Sequence, residues 1–575
     1  MNVIGFKEAK CKNCYKCVRS CDVKAIAVQN EQAQIINEYC ILCGHCLSAC
    51  PQNAKSIISD LSKVKNFIKS GVKTVVSIAP SYAGVLEFEK RGQIVTALMK
   101  LGFWQVRETS EGAAYVTEEY RKLIEKGTMD NIISTCCPSV NDLIEIYYPE
   151  SVPYMAPVVS PMIAHGKLIK DLYGQNIKVV FLGPCIAKKR EALNDPRTQG
   201  IIDAVINFSE LEKWLKEENI NISEMEYTEF HNDNPRVNRL YPVGDGVITS
   251  ILSSQRRQDQ YRKIAVDGTK RCMELLESIN KGEIHHAFIE MNICEGGCVR
   301  GSALDKKESY PSPFKIKLDM EQAIPKEAVA EDEYRPLERI SIAKVFCDRS
   351  IKETIPTEEM IRETLRKIGK TEKAHELNCG ACGYASCRDK AIAVCQGKAE
   401  LTMCIPYMHE KAQSMSNIVL DTTPNVIILV DSEMKIVEFS HGAEKVFGKA
   451  KKEAIGMYLF EFIDHRDFED VLNSQGKITG KKVTYSEFDI TTLQSIVYVR
   501  EINGVLGIFQ DISSEAEKSR QAYKMKMDTI EMAQRVIDKQ MMVAQEIAGL
   551  LGETTAETKV TLTKLRDTII NDGEF

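Results

Sequence analysis

The chain has 575 residues, 44% hydrophobic and 27% charged, enough for several domains with substantial cores. Its net charge of -6 argues against a general nucleic-acid binder, and no apolar run approaches the roughly 18 residues of a membrane span. The start, Met1 to Lys7, lacks a secretory pattern, so a cytoplasmic location is expected and the 20 cysteines are read as metal ligands rather than disulfides.

Residues 1–58 hold two cysteine runs, Cys11, Cys14, Cys17, Cys21 and Cys40, Cys43, Cys46, Cys50, the second followed by Pro51. Both have C-x2-C-x2-C-x3-C spacing, the bacterial ferredoxin pattern in which the fourth cysteine of each run serves the other cluster. One [4Fe–4S] cluster then takes Cys11, Cys14, Cys17 and Cys50, and the other Cys40, Cys43, Cys46 and Cys21. A pair of zinc sites is the competing reading, but structural zinc favours CxxC pairs set far apart. Asp22 stands where the first run would usually have proline.

A short helix over about Asp60 to Ser70 leads into an α/β body, residues 72–370. Four apolar runs read as buried strands: Val75–Pro80 leading to Ser81, Asn131–Thr135 leading to Cys136-Cys137-Pro138, Val179–Leu182 leading to Gly183-Pro184-Cys185, and Ala287–Glu290 leading to Cys294 and Cys298. Ligands bind beyond the carboxyl ends of strands in open α/β sheets, so one metal site gathered from four strand ends is expected.

Ser134-Thr-Cys-Cys-Pro138, Gly183-Pro-Cys-Ile-Ala-Lys-Lys-Arg-Glu191 and Glu290-Met-Asn-Ile-Cys-Glu-Gly-Gly-Cys298 resemble, in order, the three signatures of [FeFe]-hydrogenases. The resemblance implies a two-lobed catalytic domain whose H-cluster is a [4Fe–4S] cluster on Cys137, Cys185, Cys294 and Cys298. Cys298 would bridge to a two-iron subcluster bearing carbon monoxide, cyanide and a dithiolate, with Gly296 and Gly297 leaving room for it. It further implies that Lys188 donates to one cyanide, that Pro80 and Ser81 line the other, and that Cys136 passes protons to the dithiolate amine. The reaction would interconvert two protons and two electrons with hydrogen. The plainer alternatives are a merely buried thiol at Cys136 and a solvated helix face at Lys188 and Lys189. His285 and His286 are read as structural or solvent-facing.

Several positions depart from the family. Gly183 and Asn292 replace methionines that flank the two-iron unit, and Val140 stands near where a tryptophan is usual. The glycine-rich end of the third signature is reduced to Gly301-Ser-Ala-Leu304. The relay serine is Ala156, and only Glu118 and Glu119 lie where relay carboxylates belong. Loss of that hydroxyl breaks a direct hydrogen-bonded relay unless water fills in, which predicts slow turnover.

Cys379, Cys382, Cys387 and Cys404, within residues 371–410, have C-x2-C-x4-C-x16-C spacing and resemble a small four-cysteine [4Fe–4S] domain, with zinc the alternative. Cys272, Cys347 and Cys395 are left as ordinary buried thiols. From 414 to 513 the element order resembles a PAS sensory domain: strands at Asn425–Asp431 and Lys435–Phe439, short helices, then strands at Val483–Phe488, Leu493–Val499 and Gly504–Phe509. No residue there identifies a ligand, and His441 reads as surface. In the tail, 514–575, Ile530, Ile537, Ala544 and Leu551 recur every seven residues, which suits a coiled-coil seam and a homodimer; packing back on its own domain is the alternative.

The domain order resembles the sensory [FeFe]-hydrogenases of anaerobic bacteria. It implies three [4Fe–4S] clusters plus the H-cluster, exchange with a ferredoxin or other redox protein, and a signalling partner reached through the PAS domain or the tail. An ordinary ferredoxin-linked hydrogenase, and a non-enzymatic iron–sulfur protein lacking the two-iron unit, are the other readings.

Overall fold

The structure is a computed structural model that describes residues 2–232, 236–252, 261–304, 311–322, 340–513 and short helical pieces at 531–532, 535–536 and 539–543. The heptad positions Ile530, Ile537, Ala544 and Leu551 lie outside the described residues. The chain forms two compact units, Met1–Leu365 with Glu376–Glu400, and Arg366–His375 with Leu401–Phe575.

The first unit opens with the two cysteine runs. Strand β1 (Ile4–Phe6) pairs antiparallel with β4 (Lys55–Ile57), and β2 (Ile26–Gln29) with β3 (Gln32–Ile35). Asn30 and Glu31 join the latter pair with φ of 50° and 57°, the left-handed geometry of a tight hairpin. One-turn helices at Lys16–Arg19 and His45–Ser48 carry Cys17 and Cys46 inward.

The central body is built on two parallel sheets, as a two-lobed domain would be. The first has the order β6-β5-β8-β9, from β5 (Thr74–Ile78), β6 (Gln105–Glu108), β8 (Lys178–Leu182) and β9 (Ala204–Ile206). The second has the order β10-β11-β7, from β7 (Asn131–Ile133), β10 (Arg262–Asp267) and β11 (Ala287–Asn292). Every residue of β5, β7 and β11 is buried, which is why these strands read as continuous apolar runs. Each fully buried side chain such as Phe288 or Ile289 contributes roughly 1.5–3 kcal/mol. The helix Ser110–Lys126 turns Val116, Tyr120 and Ile124 into the core beside Ile132 and Phe288.

Residues 340–349 run alongside the loop after β7. Val159 N donates to Ile342 O at 2.8 Å, and Lys344 N to Pro157 O at 3.0 Å. Their charges join a chain of mostly buried ion pairs: Lys344 to Asp195 at 2.9 Å, Asp195 to Arg197 at 2.8 Å, Arg197 to Glu145 at 3.1 Å, Glu145 to Arg349 at 3.0 Å and Arg349 to Asp142 at 2.9 Å. Asp142 also pairs with Arg190, which donates to the Cys40 carbonyl at 2.7 Å.

The second unit contains a five-stranded antiparallel sheet of order β13-β12-β16-β15-β14. Its strands are β12 (Val426–Val430), β13 (Ile436–Phe439), β14 (Lys477–Tyr485), β15 (Ile490–Val499) and β16 (Gly504–Asp511). The sequence places β14 at Val483–Phe488, whereas it starts at Lys477. It is a largely exposed edge strand, so its polar residues hide it from a hydrophobic pattern. No helix among the described residues is long and apolar enough to cross a membrane.

Candidate functional site

Because all seven central strands run parallel in their sheets, their carboxyl ends present loops on a common side of each sheet. β5 ends before Pro80 and Ser81, β7 before Cys136 and Cys137, β8 before Cys185, and β11 before Cys294 and Cys298. These loops converge. Cys137, Cys185 and Cys298 all act electrostatically on Cys294, and Cys137 and Cys185 on Cys298. Burial pushes all four thiols up, that of Cys185 to about 11, and the neighbouring cysteines add to the rise at Cys185, Cys294 and Cys298. Backbone N–H groups of Ile293, Val140 and Ser139 face Cys137, those of Lys188 and Ala187 face Cys185, and that of Ser302 faces Cys294; all favour thiolate. Four partly buried thiols ringed by amide donors suit a cluster whose irons would supply the cations that bare thiolates lack.

The loop that carries the last two ligands is fixed by backbone geometry. Gly296 and Gly297 have φ of 80° and 85°, and a Cβ on Gly297 would lie 2.5 Å from the Pro242 carbonyl oxygen. The two glycines thus answer to this chain's own backbone, beyond any room they leave for a ligand.

Around these thiols stand further polar groups. Lys188 is largely buried; its Nζ donates to the Cys136 carbonyl at 3.0 Å and to Glu191 Oε2 at 2.9 Å. Burial alone would push its pKa down, but Glu191 and the neighbouring cysteines hold it above the ordinary lysine value. Ser81 is fully buried, and its hydroxyl has no hydrogen-bond partner among the described residues. A buried hydroxyl left without a partner is able to donate to a polar group brought into the interior. Burial pushes the Cys136 thiol up to about 12, so it stays protonated near neutrality.

Four family models match the chain: iron only hydrogenase large subunit, C-terminal domain over residues 72–302, a 4Fe-4S dicluster domain over 4–51, a putative Fe-S cluster over 376–406, and the PAS fold over 417–512. The chain is an [FeFe]-hydrogenase-like protein with a PAS domain. It is 25% identical over 361 residues to iron hydrogenase 1 of Clostridium pasteurianum, covering 46% of this chain and 63% of that protein. It is 26% identical over 260 residues to the periplasmic [Fe] hydrogenase large subunit of Nitratidesulfovibrio vulgaris, covering 36% and 61%. The nuclear prelamin A recognition factor of Xenopus laevis is 20% identical over 344 residues, covering 48% and 75%. The chain therefore spans a little under two thirds of the length of the two hydrogenases.

Within the hydrogenase-like domain, the residues that differ from the family signatures have visible structural counterparts. A Cβ on Gly183 would lie 2.6 Å from the Phe181 ring, so that ring takes the space of a side chain at 183. Asn292 donates through Nδ2 to Glu290 Oε1 at 3.2 Å. Glu290 is 1% exposed and accepts Val247 N and Ile248 N at 3.0 Å each; burial pushes its carboxyl up to about 7. Ala156 is fully buried in an apolar cluster. Glu119 is half-buried and pairs with Lys122 at 2.7 Å, and Glu118 pairs with Arg121 at 3.5 Å. Neither is the group at the thiol. Tyr120 takes that place, its hydroxyl 3.2 Å from Cys136 Sγ and accepting Thr135 N at 2.9 Å. The sequence reading missed it, although the helical spacing Val116, Tyr120, Ile124 marks the buried stripe and leaves both glutamates off it. Lys189 is buried and paired with Asp60 at 2.9 Å, so the Lys188-Lys189 pair is not a solvated face.

In the dicluster module Cys21 lies with the second cysteine run rather than with its own. Cys14 and Cys11 act on Cys17, whereas Cys43 and Cys40 act on Cys21, and Cys21 joins them in acting on Cys46. Ala25 N donates to Cys21 Sγ at 3.3 Å, Ala54 N to Cys50 Sγ at 3.3 Å and Lys55 Nζ to Cys17 Sγ at 3.5 Å. Asp22 pairs with His45 at 3.4 Å, which ties the two cysteine runs together where proline is usual. The surface side of Cys294 opens on a cleft of about 1070 Å³, whose lining also includes Cys43, Gly44 and Glu290.

Cys379, Cys382 and Cys387 belong to the first unit, and Cys404, which is buried, to the second. No three His, Cys, Asp or Glu side chains among the described residues converge as around a single ion. Of the remaining cysteines, Cys272 is buried, but Cys347 is exposed and Cys395 half-buried, so these two are not core thiols.

Proposed function

We propose that this chain is a sensory [FeFe]-hydrogenase: it interconverts two protons and two electrons with hydrogen at low turnover and reports hydrogen or redox state through its PAS domain. The observation that carries the reading is the convergence of Cys137, Cys185, Cys294 and Cys298 with a buried Lys188 and a protonated Cys136. Cys298 would also bridge to the two-iron unit, which supplies the site for hydrogen bond-making and cleavage when bound. The chain's own residues do the rest: Lys188 offsets negative charge, Ser81 donates beside Pro80, and Cys136 holds the proton. Slow turnover follows from the surroundings, where Phe181 fills the space over Gly183 and Ala156 offers no hydroxyl.

The working division is 1–58, 72–370, 371–410, 414–513 and 514–575, in the cytoplasm, with three [4Fe–4S] clusters besides the H-cluster. A ferredoxin-like redox protein, a signalling protein and a second copy of the chain are the partners this reading implies. Infrared spectra of protein matured anaerobically with its assembly enzymes test it: carbonyl and cyanide bands are expected. Their absence would favour the non-enzymatic iron–sulfur reading, which the likeness to the nuclear prelamin A recognition factor keeps in play. Bands with turnover as fast as a producing enzyme would favour an ordinary ferredoxin-linked hydrogenase.

A further inference from the structure

Arg19 and Lys24 flank Cys21 in the dicluster module, and both reach across to the four-cysteine segment. Arg19 donates to the Cys14 carbonyl at 3.0 Å and to the Ala381 carbonyl at 2.7 Å. Lys24 donates to the Gly383 carbonyl at 2.6 Å and to the Val18 carbonyl at 3.3 Å. Cys382 lies between the two stapled residues, one peptide, or about 3.8 Å between α-carbons, from each. Gly383 has φ of 95°, and a Cβ on it would lie 2.8 Å from Val18 Cγ1, so the loop rests directly on the helix that carries Cys17. Val28 N extends the contact to the Lys398 carbonyl at 2.9 Å. Behind the loop, Tyr384 is buried with both Cys382 and Cys21 in electrostatic reach, and Lys24 feels the same two cysteines.

We propose that the Ala381–Gly383 loop is an electron-transfer contact, making the four-cysteine cluster a branch off the dicluster module rather than a structural staple. The inference rests on the iron–sulfur reading of these cysteines. One electron would pass from the cluster that Cys21, Cys40, Cys43 and Cys46 would hold, leaving it oxidised by one, to the cluster that the four-cysteine segment would hold, reducing it by one. No bond or proton changes. The electron comes from hydrogen at the catalytic pocket or from a low-potential reductant such as dithionite. Lys24 is a positioning residue whose cation offsets charge added to either side of the contact.

The test uses full-length, cluster-loaded protein made without the assembly enzymes for the two-iron unit, so failure of the hydrogenase reading leaves it untouched. Dithionite-reduced protein is followed by potentiometric electron paramagnetic resonance. The four-cysteine signal is expected to be split by its neighbour. Lys24→Met should make both clusters harder to reduce, by about tenfold in the equilibrium or about 59 mV for a one-electron couple, and Lys24→Arg should restore both. Gly383→Val should lift the loop, abolish the splitting and slow reduction of the four-cysteine cluster at least tenfold, with iron and sulfide unchanged. An unsplit signal in the native chain, or a Lys24→Met shift confined to the dicluster module, overturns the proposal. Should Gly383→Val lose iron, the native spectrum and the Lys24 pair decide.

Discussion

Removing the hydroxyl of Tyr120 separates a proton relay from a structural bond. In Tyr120→Phe the ring keeps its edge-on packing against Phe288, at 5.5 Å between centroids, but two things are lost. The fully buried Thr135 N–H loses the acceptor it holds at 2.9 Å, a cost of about 1–3 kcal/mol. At about 2–4 °C per kcal/mol for a large domain, the melting temperature should fall by roughly 2–12 °C. Cys136 also loses the oxygen 3.2 Å from its sulfur, and if protons leave through that contact the rate should fall by about 100-fold or more. Isotope exchange between hydrogen and deuterated water, on matured protein, reads the proton step without an external electron partner. A lower melting temperature with undiminished exchange would refute the relay and leave Tyr120 as an acceptor for Thr135 alone.

Three other perturbations follow from the same structure. Burial holds Glu290 at about 7, above the roughly 4.3 of an unfolded carboxyl, so the stability it contributes is complete below about pH 4 and lost as pH rises through 7. Glu290→Gln should flatten that decline by up to about 3 kcal/mol; parallel melting curves across this window would show that Glu290 is ionised throughout. Arg197→Met leaves the fully buried Glu145 with only Arg349 and the Cys347 N–H, and should lower stability in urea by about 3 kcal/mol. An unchanged midpoint would mean that the ion chain from Lys344 to Arg190 carries no net stability. Gly183→Met should destabilise by about 1–3 kcal/mol through collision with Phe181, with recovery on adding Phe181→Leu; a single variant as stable as the native chain would show that the ring moves aside freely.

Cysteine spacing and buried parallel strands are local signals, and here they were legible. The four strand ends, the crossing of Cys21 to the Cys40 group and the helix Leu61–Lys69 could all be read from the chain. What one dimension did not carry was the partner of each side chain. The apolar runs do not say which neighbour each strand pairs with, so the strand orders β6-β5-β8-β9 and β10-β11-β7 come from the structure. Glu118 and Glu119 had the right distance from Cys136 along the chain, but the helix turns them outward and turns Tyr120 in. Lys344 and Arg349 look like solvated charges until their carboxylates, about 150 to 200 residues away, fold against them.

The altered positions share a pattern that bears on whether the site is retuned or abandoned. Gly183, Asn292 and Ala156 all stand where the resemblance puts groups that touch the two-iron unit or feed it protons. The four cluster thiols and Lys188 are kept. A chain that no longer bound a ligand there would gain by filling the pocket, because a buried cation with its carboxylate and an unpartnered serine hydroxyl are costly to hold in a dry interior. Lys188 and Glu191 remain buried as a pair, and the buried Ser81 hydroxyl has no partner among the described residues. Those costs make sense if something anionic completes the pocket, and the substitutions around it then set how fast it works rather than whether it forms. If so, restoring single family residues should change turnover without changing the infrared bands of the bound unit, whereas Lys188→Met should remove or shift the bands themselves.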